Sequence, residues 1–148
     1  MTEGGATVAG DGGSDTMVTG DVAAGSVVGW GDGNDSLTTL TVGAQALAGT
    51  ATVDGGTGDD TIRTGEIGAV EPSSIAQAQV NGGDGNDTIE APLLGMLHIG
   101  KINGGPGNDH ISGVLGTLLV VGSQGTVNGN AGTNTCTVLN LLGGTVNC

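Results

Sequence analysis

The chain has 148 residues, 33 of them glycine, with one tryptophan (Trp30), no phenylalanine and no tyrosine. Fifteen acids stand against Arg63 and Lys101, a formal net charge of −13. That balance excludes a nucleic-acid or anionic-membrane surface, which needs clustered bases, and the missing aromatics exclude an ordinary thick core.

The remaining apolar residues are small or β-branched, which suits a thin, layered β-core. A mean hydropathy of +0.14 and regularly placed aliphatics oppose the disordered acidic linker that charge alone would indicate. No stretch approaches the roughly 20 apolar residues of a membrane span. The start, Met1-Thr2-Glu3-Gly4-Gly5, lacks the basic and apolar regions of a secretory signal.

In chain order, six copies of one short pattern appear. Gly10-Asp11-Gly12-Gly13-Ser14-Asp15-Thr16-Met17 is followed by Trp30-Gly31-Asp32-Gly33-Asn34-Asp35-Ser36-Leu37. Next come Gly55-Gly56-Thr57-Gly58-Asp59-Asp60-Thr61-Ile62 and Gly82-Gly83-Asp84-Gly85-Asn86-Asp87-Thr88-Ile89. The last two are Gly104-Gly105-Pro106-Gly107-Asn108-Asp109-His110-Ile111 and Gly129-Asn130-Ala131-Gly132-Thr133-Asn134-Thr135-Cys136. The acid position falls at Asp15, Asp35, Asp60, Asp87, Asp109 and Asn134, in steps of 20, 25, 27, 22 and 25 residues. A repeat of that length marks stacked supersecondary units, and uneven steps suit coils that bulge outward between shared positions.

Registered on the acid, two columns are wholly apolar. Two residues after it stand Met17, Leu37, Ile62, Ile89, Ile111 and Cys136; seven before it stand Val8, Val28, Val53, Val80, Ile102 and Val127. These read as inward rungs stacked about 4.8 Å apart. Two residues before the acid, glycine recurs in all six copies, as a turn needing positive φ or close backbone approach requires. Between the turns lie β-like runs at Leu37–Val42, Ala48–Val53, Ser74–Val80, Leu93–Ile99, Val114–Val121 and Thr135–Leu142, each too broken by glycine for helix. The pattern predicts one all-β domain over residues 1–148. Its form would be a right-handed parallel β-helix or β-roll-like solenoid of about six coils, two or three strands per coil, with the Gly-Asp turns stacked along one edge.

A glycine turn frees backbone carbonyls and sets a carboxylate beside them. Several hard oxygens in flexible geometry are what Ca²⁺ takes, whereas Mg²⁺ demands stricter octahedral order. Zn²⁺ is not indicated, because His98 and His110 lack spaced partners and the two cysteines form no ligand pattern. Nine of the fifteen acids fall inside the six turns, so stacking piles like charges into one column that needs cations to offset it. One divalent ion per pair of neighbouring turns gives roughly five.

The pattern Gly-Gly-x-Gly-x-Asp-x-aliphatic-x resembles the nonapeptide of the RTX (repeats-in-toxin) calcium-binding β-solenoids. The resemblance implies that Ca²⁺ is held between turns by carboxylates and turn carbonyls. The matching carboxylates are Asp15, Asp35, Asp60, Asp87 and Asp109. The matching carbonyl donors are Gly31, Gly33, Gly56, Gly58, Gly83, Gly85, Gly105 and Gly107, with Gly13 a further candidate. RTX rolls run their nonapeptides back to back, with calcium on both sides; here one copy per 20–27 residues implies a wider coil with a single calcium-lined edge.

Cys136 and Cys148 are the only cysteines, twelve residues apart, and point to an oxidising, extracellular or cell-surface setting. Strict stacking would set Cys148 over Gly129, across the turn from Cys136. The tail must then leave register or the bonds be intermolecular, and the intramolecular pair is favoured. Val146-Asn147-Cys148 begins a seventh copy of Val127-Asn128-Gly129, and no capping segment is apparent at either end. Uncapped ends of matching pattern predict head-to-tail self-association into a filament.

Asn34-Asp35-Ser36 and Asn86-Asp87-Thr88 match the N-glycosylation pattern, but the repeat itself generates both. No catalytic set can be placed, so the expectation is a non-enzymatic structural protein. The alternative is a calcium-binding spacer or module of a larger secreted adhesin or polysaccharide-modifying enzyme. An ice-binding face is opposed by the irregular turn column Gly12, Asp32, Thr57, Asp84, Pro106, Ala131.

Overall fold

The structure, a computed structural model, describes residues 5–44, 48–68, 76–95, 99–117, 119–140 and 142–148. His98, and parts of four expected runs (Ser74 and Ile75, Met96 and Leu97, Leu118, and Leu141), lie outside the described residues. Short strands wind into an all-β parallel solenoid, as the repeat predicts. Sheet 1 stacks seven strands in chain order: Thr7–Ala9, Val27–Gly29, Gly49–Thr57, Ala76–Asp84, Gly100–Asn103, Gly125–Asn128 and Thr145–Asn147. Sheet 2 stacks six: Thr16–Val18, Ser36–Thr38, Thr61–Arg63, Thr88–Glu90, His110–Ser112 and Thr135–Cys136. The third side pairs Val22–Ala23 with Val42–Ala44, and Leu93–Leu94 with Leu119–Val121 and Val138–Asn140, linked through single bridges at Ile67. Every named pairing is parallel. Parallel neighbours need a long crossover, and here the rest of each coil supplies it.

The two apolar columns are in register. Val8, Val28, Val53, Val80, Ile102, Val127 and Val146 stack on sheet 1. Met17, Leu37, Ile62, Ile89, Ile111 and Cys136 stack on sheet 2. The third side adds a column that the pattern did not isolate, Val22, Val42, Ile67, Leu94 and Val121. Three expected runs break where the coil must turn a corner. Leu37–Val42 is divided between Ser36–Thr38 and Val42–Ala44, and Thr135–Leu142 between Thr135–Cys136 and Val138–Asn140. Val114–Val121 opens as a 3-10 turn, Val114–Gly116, before Leu119–Val121.

About four coils, rather than six, enclose a fully buried interior on both principal sheets. They are the levels of Val28/Leu37, Val53/Ile62, Val80/Ile89 and Ile102/Ile111, with each of these side chains no more than 5% exposed. Among the described residues the outer levels have a neighbour on one side only, and Val8 is 42% exposed. No helix among the described residues is long and apolar enough to cross a membrane.

Each inner rung is closed above and below by other rungs, so a cavity there has nowhere to collapse. Ile89→Ala is expected to cost about 3 kcal/mol. Val18→Ala, at a side chain 78% exposed on the outer face of the same sheet, should stay within about 0.5 kcal/mol. Urea unfolding of the two variants checks the contrast.

Cys136 and Cys148 form an intramolecular disulfide with Cα atoms 6.2 Å apart. The tail does not leave register to make it, contrary to the expectation from strict stacking. Thr145–Asn147 pairs with Thr126–Asn128, and the Gly129 N–H donates to the Asn147 carbonyl at 2.8 Å. Cys148 stands two residues beyond the inward Val146, so strand alternation turns it inward as well. It can therefore reach across the corner to Cys136 on sheet 2.

Candidate metal centre

The Gly-Asp turns join sheet 1 to sheet 2 and stack along one edge. Their second and third glycines hold positive φ, as at Gly83 (+116°) and Gly85 (+140°). A side chain at either would overlap the carbonyl of the matching glycine one coil earlier, Gly56 or Gly58. Glycine therefore stacks on glycine, and the turns approach more closely than any side chain would permit.

Two ladders of side-chain hydrogen bonds lock this stack, and they run in opposite directions. In the acid column, Asp35 Oδ1 accepts the Asp15 N–H at 2.7 Å and Asp60 Oδ1 accepts the Asp35 N–H at 2.8 Å. Asp87 does the same for Asp60 (2.9 Å), Asp109 for Asp87 (3.1 Å) and Asn134 for Asp109 (2.8 Å). Each side chain reaches back one coil. The residue just before the acid reaches forward instead. Asn34 Oδ1 accepts the Asp59 N–H at 3.0 Å, Asp59 that of Asn86 at 2.7 Å, Asn86 that of Asn108 at 3.0 Å, and Asn108 that of Thr133 at 2.8 Å. From the sequence, Asn34, Asp59, Asn86 and Asn108 had no assigned part in the stack, and Asn34 and Asn86 were noted only as glycosylation patterns, although Asn or Asp before the acid in four copies was the available signal.

The acid column has one oxygen left over per residue. Oδ2 of Asp35, Asp60, Asp87 and Asp109 is buried and accepts no hydrogen bond from the protein. These residues are only 5%, 2%, 1% and 2% exposed. Burying a charged oxygen without a partner is costly, so it calls for a counter-charge or a proton.

The first glycine of the turn makes the space around that oxygen. A Cβ on Gly82 would overlap Asp87 Oδ2 and lie 2.5 Å from the Gly104 carbonyl oxygen. On Gly104 it would overlap Asp109 Oδ2 and lie 2.8 Å from the Gly129 carbonyl, and on Gly55 it would overlap both Asp60 Oδ2 and the Gly82 carbonyl. The orphaned oxygens of Asp60, Asp87 and Asp109 thus converge with the carbonyl of the next coil's first glycine. Gly82, Gly104 and Gly129 were not among the carbonyls singled out from the sequence. A looser version occurs at Gly10, 2.9 Å from the half-exposed Asp15 Oδ2 and 2.8 Å from the Trp30 carbonyl by the same measure.

The expected carbonyl donors fall into two columns. Among the described residues, the carbonyls of Gly33, Gly58, Gly85 and Gly107 accept no hydrogen bond, whereas that of Gly31 accepts the Thr57 N–H at 2.8 Å. At the level of Gly83 the residue matching Thr57 is Pro106, which has no N–H to give. Gly56 and Gly105 share the positive φ of this second column.

Burial pushes the Asp87 carboxyl up to about 6, the Asp60 N–H pulls it back, and the charges of Asp60 and Asp109 add to the rise. Asp60 and Asp109 are raised for the same leading reason, loss of water. No cluster of three or more His, Cys, Asp or Glu side chains occurs among the described residues. A cation here would therefore take one carboxylate oxygen per cradle and otherwise backbone oxygens. That donor set fits Ca²⁺ and does not fit Zn²⁺.

No family model matches the chain, and no curated protein or solved structure does either. The likeness to RTX repeats accordingly rests on the turn residues themselves.

Proposed function

We propose that the chain is a non-enzymatic, calcium-stabilised structural solenoid of the extracellular space or cell surface, of the RTX-like kind, that stacks end to end. One observation carries the calcium reading: four successive buried carboxylate oxygens lack any protein partner, and three of them share a cradle with a backbone carbonyl. Asp60, Asp87 and Asp109 would hold the ions, with the carbonyls of Gly82, Gly104 and Gly129. A divalent ion supplies the missing counter-charge and couples its binding to folding. The disulfide supports an oxidising setting.

End-to-end stacking is supported by the matching rungs of the two outermost described strands. Val8, an inward rung, is 42% exposed on the strand Thr7–Ala9, while Thr145–Asn147 repeats the same Thr-Val pair at the opposite end. A second copy could continue sheet 1 by placing valine on valine, and such a heterologous contact propagates.

Calcium titration of chelator-stripped protein, followed by calorimetry and circular dichroism, tests the first part. Saturable binding with a rise in melting temperature is expected, and no binding sinks it. Light scattering and electron microscopy at high concentration test the second. Fibres that form with Ca²⁺ and dissolve with chelator are expected; monomers under every condition would remove the filament and leave a calcium-stabilised spacer.

A further inference from the structure

The first-glycine column is broken once. Its members are Gly10, Trp30, Gly55, Gly82, Gly104 and Gly129, so the second coil carries the largest side chain where every other turn has none. Trp30 is 1% exposed and belongs to the core. In the neighbouring turns any Cβ at this position would meet the Oδ2 of the turn's own acid. In the second coil a Cβ is present.

Asp35 nevertheless keeps its place in the ladder. Its Oδ1 still accepts the Asp15 N–H at 2.7 Å, and its Oδ2 is still buried and unpartnered. What differs is the space beside that oxygen. Trp30 also brings Nε1, a buried donor without an acceptor. An indole N–H can only donate, and its positive end opposes a cation nearby.

We propose that the cation column is interrupted at Trp30: buried ions are held at Asp60, Asp87 and Asp109, and none at Asp35. This inference rests on the calcium reading above. The turn of Asp35 then serves register alone, and a metal-independent coil separates the three contiguous cradles from the open one at Gly10. The last turn supplies a natural counterpart, because Asn134 keeps the ladder bond to the Asp109 N–H at 2.8 Å without a carboxylate. Replacing an acid by asparagine should likewise preserve the rung while removing an ion ligand.

That property makes the test conservative. Bound calcium is counted by equilibrium dialysis and native mass spectrometry of the whole chain. Asp60→Asn is expected to lose one ion and Asp35→Asn none. Trp30→Gly and Trp30→Ala both remove the indole, but only glycine clears the Cβ; the first should gain one ion and the second none. If Trp30→Gly does not fold, the asparagine pair still decides. Loss of an ion in Asp35→Asn equal to that in Asp60→Asn overturns the inference while leaving the calcium reading intact. Absence of calcium from the parent chain overturns both.

Discussion

Gly82→Ala is expected to destabilise the protein by about 2–3 kcal/mol, the usual cost of forcing extra volume into a closed site. Backbone strain is not the cause, since Gly82 is absent from the positive-φ positions. The added methyl would run into Asp87 Oδ2 and the Gly104 carbonyl; the Asp87 carboxylate is fixed by the Asp60 N–H that its Oδ1 accepts, and the Gly104 carbonyl by the Gly83 N–H. Neither can retreat without giving up the hydrogen bonds that hold adjacent coils. Gly20→Ala is the control, because a Cβ there meets nothing within 4 Å; its effect should stay within about 0.5 kcal/mol. Urea unfolding at saturating Ca²⁺ and again with chelator separates two contributions. If the cradle holds an ion, the loss for Gly82→Ala is larger in calcium, since the variant forfeits the ligand as well as the packing. Equal losses in both buffers would mean that Gly82 serves only close packing.

The contrast between those two glycines shows where the sequence was readable. The rung columns through Val80 and Ile89 were legible because a solenoid repeats the same chemical demand at every level, and registering six copies averages out local noise. The third glycine of the turn was legible for the same reason. The first-glycine column was harder. Its role depends on how far the Asp87 carboxylate swings across the corner, which the spacing of Gly82 and Asp87 does not state. The opposed ladders were hidden in the same way: Asn86 and Asp87 are adjacent, both carry an acceptor, and only the turn's backbone sends one forward and the other back. Trp30 stands in sequence at the first position of an otherwise good copy. In the fold it is an inward residue at a place where other coils tolerate no side chain. The disulfide was misjudged on one point, because the alternation that turns Val146 inward also turns Cys148 inward, and no departure from register is needed.

Calcium-stripped protein is expected to become more stable as pH falls from 7 to 4, and calcium-saturated protein less stable over the same range. The sign follows from Asp87, whose carboxyl is raised from 3.8 in the unfolded chain to about 6 in the fold. Below about pH 4 the group is neutral in both states and folding bears no penalty. As pH rises from about 4 to about 6, the unfolded chain ionises while the folded chain keeps its proton, and above about 6 the folded chain must bury the charge. A tenfold difference in acidity between the two states is worth about 1.4 kcal/mol, so Asp87 alone removes roughly 3 kcal/mol by neutral pH. Asp60 and Asp109 are raised as well and push the same way. Bound calcium reverses the dependence, because the ion requires the ionised carboxylate and a proton competes with it. Melting temperatures followed by circular dichroism from pH 4 to 7.5, with and without Ca²⁺, should therefore cross. Relief of the overall negative charge also favours acid pH in the stripped protein. Asp87→Asn isolates the site from that background: it should flatten the stripped curve and shrink the gap that calcium opens at neutral pH. A stripped protein that loses stability on acidification would show that the buried oxygens are already matched by protein groups. The turn column would then need no ion to close it.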